Sequence, residues 1–492
     1  MLKKQTPSFV TELPLKTGSY EQSLLKKRFF AGKQQYNALL GEALRRLQKM
    51  RSDPRFKEAQ KLYKEAGKKT EAKQIFKKLT IFYQYREYDL HAYTKQWNTK
   101  GSALSIGARI SQQLAKRAFQ AVEEYRLGKR GKPRFKGRRG LQSIEDNSLH
   151  ANLRMKEHVV HYLGLKMPLI YDLKDPVHYH GLNAPIKYLR IVQRTFNGKK
   201  RYVAQLVNEG KPWVKSKNSP GDATIGLDIG PQTIAVVAPE ITYASLHLFA
   251  DELKETKKTK KRLQKSLAKK LRIGNPHAFE KDTWEKKDKA WVCKKGPSIK
   301  GQHCVHRSKR LLNVQHQLAD LYRKEASYRK AQHGRMANQI IRLGKEIKTE
   351  QLSYKAFQKL FGSSVGLRAP GMFVDILKRK AENAGGKVIC INTWATKLSQ
   401  TCHCGKQEKK PLSQRWHQCA CGVKAQRDLY SAYLAGFVEE DRLMADQAEK
   451  AWSGMDIALC TAMRQIKRTS RGPLPSSLGI QLGSESVVQD VP

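Results

Sequence analysis

The chain is 492 residues long, 39% hydrophobic, and carries a formal charge of +52 from 95 Lys and Arg against 43 Asp and Glu. That length and composition suit several domains with cores of their own and argue against disorder. The charge argues against an enzyme of small molecules, which gains nothing from such self-repulsion, and points to a polyanion whose counterions are released on binding.

Nucleic acid is the expected partner. A membrane is not, because no apolar run is long enough to span one and the N-terminus MLKKQTPSFV lacks the apolar core of a signal peptide. Free cysteines without an export signal suit a reducing cytoplasm, or wherever the chain meets DNA.

Residues 9–16 (FVTELPLK) predict a short edge strand, since Pro14 cannot donate to a ladder. From Ser19 to about Trp97 the pattern is helical, broken at Ser52-Asp53-Pro54 by a cap followed by proline in the first turn. The aromatic run Phe82, Tyr83, Tyr85, Tyr88, Tyr93 and Trp97 could stack on bases. The spacing of Phe82, Tyr85 and Leu90 favours packing between helices instead. Residues 102–126 predict the clearest helix, with Ser102 as N-cap and Ile106, Ile110, Leu114, Ala118, Val122 and Tyr125 near one face. The run GKRGKPRFKGRRG follows, held extended by glycine and proline. It is either a solvated linker or a phosphate contact through residues such as Arg134 and Lys136.

From about Leu141 to Val214 the runs shorten and become β-type, with Asn197-Gly198 as the signal for a two-residue hairpin turn. This predicts a small barrel-like β domain, ended by the polar linker KSKNSPGD. Three strands are expected over 224–250, then basic helices near 251–272 and 307–342. The piece between those helices holds Trp284, Trp291, Cys293 and Cys304. Cys293, His303, Cys304 and His306 are a conceivable metal set, but their spacing fits no standard finger. Gly344–Leu352 is the fourth strand, followed by a helix closing at Gly385-Gly386 and a strand over Lys387–Thr393. Lys378, Arg379 and Lys380 on that helix are either phosphate contacts or an ordinary basic surface. Beyond about Arg468 a disordered tail is expected.

Two C-x-C pairs, Cys402/Cys404 and Cys419/Cys421, flank a basic loop. Four thiolates on two tight turns can surround one structural Zn2+, although the usual ribbon spacing is C-x-x-C. Gly405 and Gly422 would let each turn take positive φ and aim backbone N–H groups at sulfur.

The strand order, followed by a helix carrying an acid, is that of an RNase H-like sheet. Asp228 lies on the first strand between Gly226 and Gly230, Glu350 near the end of the fourth, and Asp428 on a helix beside the first. Together the three carboxylates can hold one or two Mg2+ ions for phosphodiester hydrolysis. Glu346, on the same strand face as Glu350, is its rival. Arg427, beside Asp428, is a candidate phosphate contact. The order Asp–Glu–Asp fits a RuvC-type nuclease better than a transposase, which usually runs Asp–Asp–Glu.

These residues carry a resemblance to the transposon-encoded TnpB proteins and the compact type V CRISPR effectors. GLDIGPQTIAVV is similar to the first RuvC motif, EIKTEQL to the second, and LSQTCHCG…HQCACG…QRDLYSA to the ribbon and third motif. Where the family usually reads DRDxNAA, this chain has Gln426, Tyr430 and Ser431 but keeps Asp428. The helix leading into RGKPRF also resembles the family's region before its first RuvC motif. The resemblance covers most of the chain, strongly after residue 222 and loosely before it.

It implies an RNA-guided DNA endonuclease of α+β multidomain build, bound to guide RNA and target DNA, with Mg2+ and Zn2+ as cofactors. The implied plan is a wedge-like β domain (1–15 and 131–221), a helical recognition lobe (16–130), a RuvC-like nuclease domain (222–397 and 425–465), an inserted zinc ribbon (398–424) and the tail (466–492). A monomer is expected. An RNA-guided repressor that does not cut, a transposase and a guide-independent resolvase are the alternatives.

Overall fold

A computed structural model describes residues 6–479 apart from 98–104, 138–139, 149–151, 250–252, 254–255, 288–289, 412, 470–473 and 476–477. It divides into two compact units, Met1–Trp213 and Val214–Pro492.

In the first unit Asn197 and Gly198 both take positive φ, 43° and 79°, as a two-residue hairpin turn with the native strand twist requires. They join the longest strands of a β domain built from β1 (Ser8–Pro14), β2 (Ser143–Asp146), β3 (Leu153–Lys156), β4 (Val159–Tyr162), β5 (Leu165–Pro168), β6 (Ile186–Phe196) and β7 (Lys199–Glu209). One sheet has the order β1-β7-β6-β2, so the proline-ended β1 is an edge, and β3-β4-β5 form a second sheet. The chain leaving β1 links the two: the Leu15 N–H donates to Tyr202 O at 3.0 Å and the Lys16 N–H to Pro168 O at 2.8 Å.

Around this domain stand α1 (Ser19–Ser52), α2 (Pro54–Leu62), α3 (Lys69–Phe82), α4 (Glu87–Tyr93), α5 (Ala108–Arg126) and α6 (Pro176–Asn183). Leu39, Leu40 and Leu47 of α1, Ile110, Leu114 and Val122 of α5, and Leu189, Ile191 and Leu206 of the sheet share one core. Asp53 caps α2 by accepting from the Arg55 N–H at 2.9 Å. Two expectations need correction. The fifth helix starts at Ala108, because Gly107 has φ 98° and cannot belong to a right-handed helix; Ser102 lies outside the described residues. Of the aromatic run, Tyr85 is buried as filler while Phe82 and Tyr88 face solvent.

The second unit runs β8 (Ala223–Ile229), β9 (Thr233–Ala238), β10 (Tyr243–Leu248), α7 (Thr256–Gly274), β11 (Thr283–Lys287), β12 (Ala290–Lys294), α8 (Lys309–Leu343), β13 (Gly344–Glu350), α9 (Tyr354–Arg368), α10 (Pro370–Ala384) and β14 (Lys387–Ile391). Then come α11 (Thr393–Thr396), the hairpin β15 (Trp416–Gln418) and β16 (Lys424–Gln426), α12 (Arg427–Gly436), the short hairpin β17 (Val438–Glu439) and β18 (Arg442–Leu443), α13 (Ala445–Lys450) and α14 (Met455–Thr469). The main sheet has the order β10-β9-β8-β13-β14. Its first three strands are antiparallel neighbours, and β13 lies parallel to both β8 and β14.

Alternation along β8 divides its side chains between two cores. Ile225, Leu227 and Ile229 pack with Ile340 and Ile341 of α8 and Phe373 and Leu377 of α10. On the opposite face Ala235 and Val237 of β9 meet Leu429, Ala432 and Tyr433 of α12 and Leu459 of α14. Part of the tail expected to be disordered joins this second core: Leu478 is fully buried there, and the Trp416 indole donates to Gly479 O at 3.4 Å. Apolar burial outweighs the local Ser and Pro content at that point. Among the described residues no helix is long and apolar enough to cross a membrane.

Candidate functional site

Gly226 is the reason α12 lies where it does. A Cβ at Gly226 would stand 1.8 Å from Ala432 O and 2.7 Å from Gly436 N, so helix backbone rests directly on strand backbone. Gln426 caps the helix through Oε1, accepting from the Leu429 N–H at 2.8 Å. That fixes Asp428 in the first turn, on the β8 face that carries Asp228. The parallel pairing of β13 with β8 ends at Thr349 opposite Leu227, which sets Glu350 level with Asp228. Three acids distant in sequence therefore converge at one end of the sheet.

Their electrostatics agree with that placement. Burial raises the Asp228 carboxyl well above the usual range, and the charges of Asp428 and Glu350 raise it further against an opposing Arg427. Burial pushes Glu350 up to about 7. It raises Asp428 too, while Arg427 and Arg415 pull the other way. All three side chains keep partial access to solvent. Glu346 is engaged elsewhere, with Lys387 Nζ at 2.7 Å and Lys348 Nζ at 3.8 Å.

Three residues on the elements around the acids escaped sequence reasoning. Tyr354, at the start of α9, feels the Asp228 charge, and its phenol is pushed up to about 12, chiefly by burial. Nothing local in the sequence marks it. Lys348 lies on the same period-two face as Glu346 and Glu350, a signal that was available. Its ammonium is buried and donates to Gly436 O at 3.1 Å, at the carbonyl end of α12. Trp394, 88% exposed, follows by three residues the Ile391 that pairs with Glu350.

The four cysteines form a single cluster, with all four Sγ atoms within 4.8 Å of one another. Cys402 and Cys421 approach at 3.5 Å, as do Cys404 and Cys419. Four sulfurs at about 2.3 Å from one tetrahedral Zn2+ lie only slightly farther apart, so the donor set fits zinc. Both turns share one hydrogen-bond plan. Cys402 N–H donates to Lys406 O and Gly405 N–H to Cys402 O; Cys419 N–H donates to Val423 O and Gly422 N–H to Cys419 O. Gly405 and Gly422 have φ 85° and 95°, as the turns were expected to need. The Cys421 backbone N–H holds the Cys419 thiol down to about 7, whereas burial raises Cys402. Tyr430, which stands where the resembled motif has Asn, is built into this centre. Its hydroxyl lies 3.3 Å from Cys402 Sγ and accepts from the His403 N–H at 3.0 Å, and its ring stacks on His417.

The remaining candidates divide. Arg427 is buried, and its Nη1 donates to Pro411 O at 3.3 Å and Gln414 O at 3.1 Å, so it ties down the loop before β15 and does not present itself to a phosphate. Lys380 donates to Asn338 Oδ1 at 2.8 Å; Lys378 is partly exposed and Arg379 exposed on α10. Arg134 is exposed, and Lys136 lies with its ammonium 5.2 Å from the Tyr36 ring centre. Cys293, His303, Cys304 and His306 form no metal-ligand group among the described residues.

Residues 371–434, from α10 through most of α12, match the family model described as Cas12f1-like, TNB domain. No curated protein matches the chain. Among solved structures, a Cas12f1–sgRNA–target DNA complex is similar at 13% identity over 87% of this chain and 98% of that one, with a TM-score of 0.43. A CRISPR–Cas12f ternary complex is similar at 12% identity over 86% of this chain and 83% of that one, with a TM-score of 0.31. The family match spans the cysteine cluster and reaches Asp428, so over those residues the chain is similar to a Cas12f1-like domain.

Proposed function

We propose that the chain is an RNA-guided DNA endonuclease that cuts phosphodiester bonds at one site formed by Asp228, Glu350 and Asp428. The observation that carries this reading is the convergence of those three acids, each raised by burial, from β8, β13 and α12. The strand order, three antiparallel strands followed by two parallel ones, supports an RNase H-like nuclease domain around them. The match of residues 371–434 to a Cas12f1-like domain supports guide RNA and target DNA as partners, and the formal charge of +52 supports both.

An all-oxygen donor set of crowded carboxylates fits a hard divalent cation. When bound there, Mg2+ would activate water and stabilise the leaving oxygen of the cut bond. The residues themselves govern the charge of the site. Burial raises all three carboxyls, and a bound cation would favour their ionised forms. Glu350 is proposed as the second carboxylate in preference to Glu346, whose charge Lys387 already balances. Lys348 and the Gly226 contact hold α12, and with it Asp428, against the sheet. Cys402, Cys404, Cys419 and Cys421 would hold one Zn2+, which cross-links the two turns and fixes the entry into α12.

The test is to express the chain with its flanking genomic DNA, purify it and sequence the RNA that accompanies it. A discrete RNA species supports the reading. Its absence from a folded, zinc-loaded protein returns the chain to the guide-independent nucleases.

A further inference from the structure

Between α7 and α8 the chain makes an excursion that the site above does not use. It is closed at its base. The buried Asn275 donates to Leu271 O at 2.9 Å and His306 O at 3.0 Å and accepts from the His306 N–H at 2.8 Å. Arg272 donates to Gly296 O at 2.7 Å and stacks its guanidinium 4.4 Å from the Phe279 ring centre. The two legs touch backbone to backbone at Gly296, where a Cβ would lie 2.2 Å from Glu280 O. The β11–β12 ribbon is thus held as a stiff projection.

One face of that ribbon is unusual. In its register Trp284 lies opposite Cys293 and Lys286 opposite Trp291, so all four side chains point the same way. Trp284 is 64% exposed and Trp291 66%. Exposed tryptophans on a mobile surface lose apolar burial for nothing; two held on a rigid face beside a lysine present a ready contact. A second copy of the chain is a poor occupant, because the segment 280–300 has seven Lys against four acids and α7 has nine basic residues and no acid. A nucleic-acid strand fits both features, with bases on the rings and phosphates on the ammonium groups. Only an unpaired base offers its flat face to a ring. Ring stacking and a phosphate contact need no 2′-hydroxyl, so a single DNA strand, the substrate proposed above, is enough to occupy this face.

We propose that the β11–β12 ribbon is a docking platform for a single DNA strand, with Trp284 and Trp291 as base-stacking residues and Lys286 as a phosphate contact. The 35 residues of α8 set this platform roughly 50 Å along the helix from the strand bearing Glu350. Binding there does not depend on cleavage, and neither does the test.

Full-length protein is titrated into labelled oligothymidylate, oligouridylate of equal length and a blunt DNA duplex, with fluorescence anisotropy as the readout. For the W284A/W291A double variant the Kd for oligothymidylate rises roughly tenfold or more, the scale of losing one or two stacked bases. Its Kd for the duplex stays unchanged, and W284F/W291F stays near wild type. Equal losses on single strand and duplex, no loss at all, a larger loss on oligouridylate, or an oligomer in sedimentation that the alanine variant dissolves would each overturn the proposal. A matching thermal melt of wild type and variants shows that the fold is intact.

Discussion

Gly226 and Ala432 touch without a side chain between them, and this contact sets the distance between the strand of Asp228 and the helix of Asp428. Gly226→Ala forces the two backbones apart. It is expected to cost about 1–3 kcal/mol or more, as overpacking against unyielding backbone does, and to remove nuclease activity together with divalent-cation binding. Thermal melts and isothermal titration with Mg2+ check both parts. Gly230→Ala, at the β8–β9 turn, has its nearest neighbour in a Thr233 side chain at 3.2 Å and should be milder.

The crowded acids predict a trade between stability and activity. Asp228→Asn removes both a buried charge and its repulsion by Asp428 and Glu350. The metal-free variant should be more stable than wild type by about 0.5–2 kcal/mol, within the range seen when a strained site is relaxed, and inactive. For Glu350 the sign is explicit. Its value rises from 4.5 to about 7 on folding, so its stabilising proton is fully held below 4.5 and lost as pH rises through 7. The stability gained by Glu350→Gln should therefore grow between those values, as read from metal-free denaturant titrations at stepped pH.

Glu42 provides the opposite case in the first unit. Hydrogen bonds from Arg45 lead in holding it down to about 2, with Arg46 adding to them. Its contribution is complete above its ordinary value of 4.5 and disappears as pH falls through 2. Glu42→Gln should destabilise the protein at neutral pH and converge with wild type in acid, when unfolding is followed by circular dichroism.

The cysteine cluster should carry one zinc per chain by elemental analysis. Cys402→Ser or a strong chelator should remove it and loosen the buried Tyr430 and His403 around it, with a fall in melting temperature. A full-strength melt without metal would mean that the turns stand on their hydrogen bonds alone.

Arg427 separates a structural role from a phosphate contact. Arg427→Ala leaves two loop carbonyls without their charged donor and should cost about 1–3 kcal/mol. The salt dependence of nucleic-acid binding should keep its slope, whereas loss of a true phosphate contact would lower it by about one.

Local patterns in the sequence account for much of this architecture. Asn197-Gly198 specifies its own turn, and alternation in β8 already separates Ile225, Leu227 and Ile229 from Gly226 and Asp228. The glycines after each cysteine pair state the φ that the turns adopt. What stayed hidden depends on contacts between segments far apart. Tyr354 is near Asp228 only because α9 returns over the sheet, and Arg427 looks like a surface cation until the loop before β15 is seen to cover it. Leu478 reads as tail but finds a core, and Phe82 has helical phase but faces solvent beside Arg55 of α2.

Guide-directed cutting is the most direct measurement. The purified complex, with the RNA it carries, is incubated with Mg2+ and a plasmid library holding the guide's complement beside random bases. Cuts that follow the guide and vanish in Asp228→Asn, while RNA binding persists, are the predicted result. Guide-directed binding without cuts, or cuts that survive in Asp228→Asn, would contradict the account.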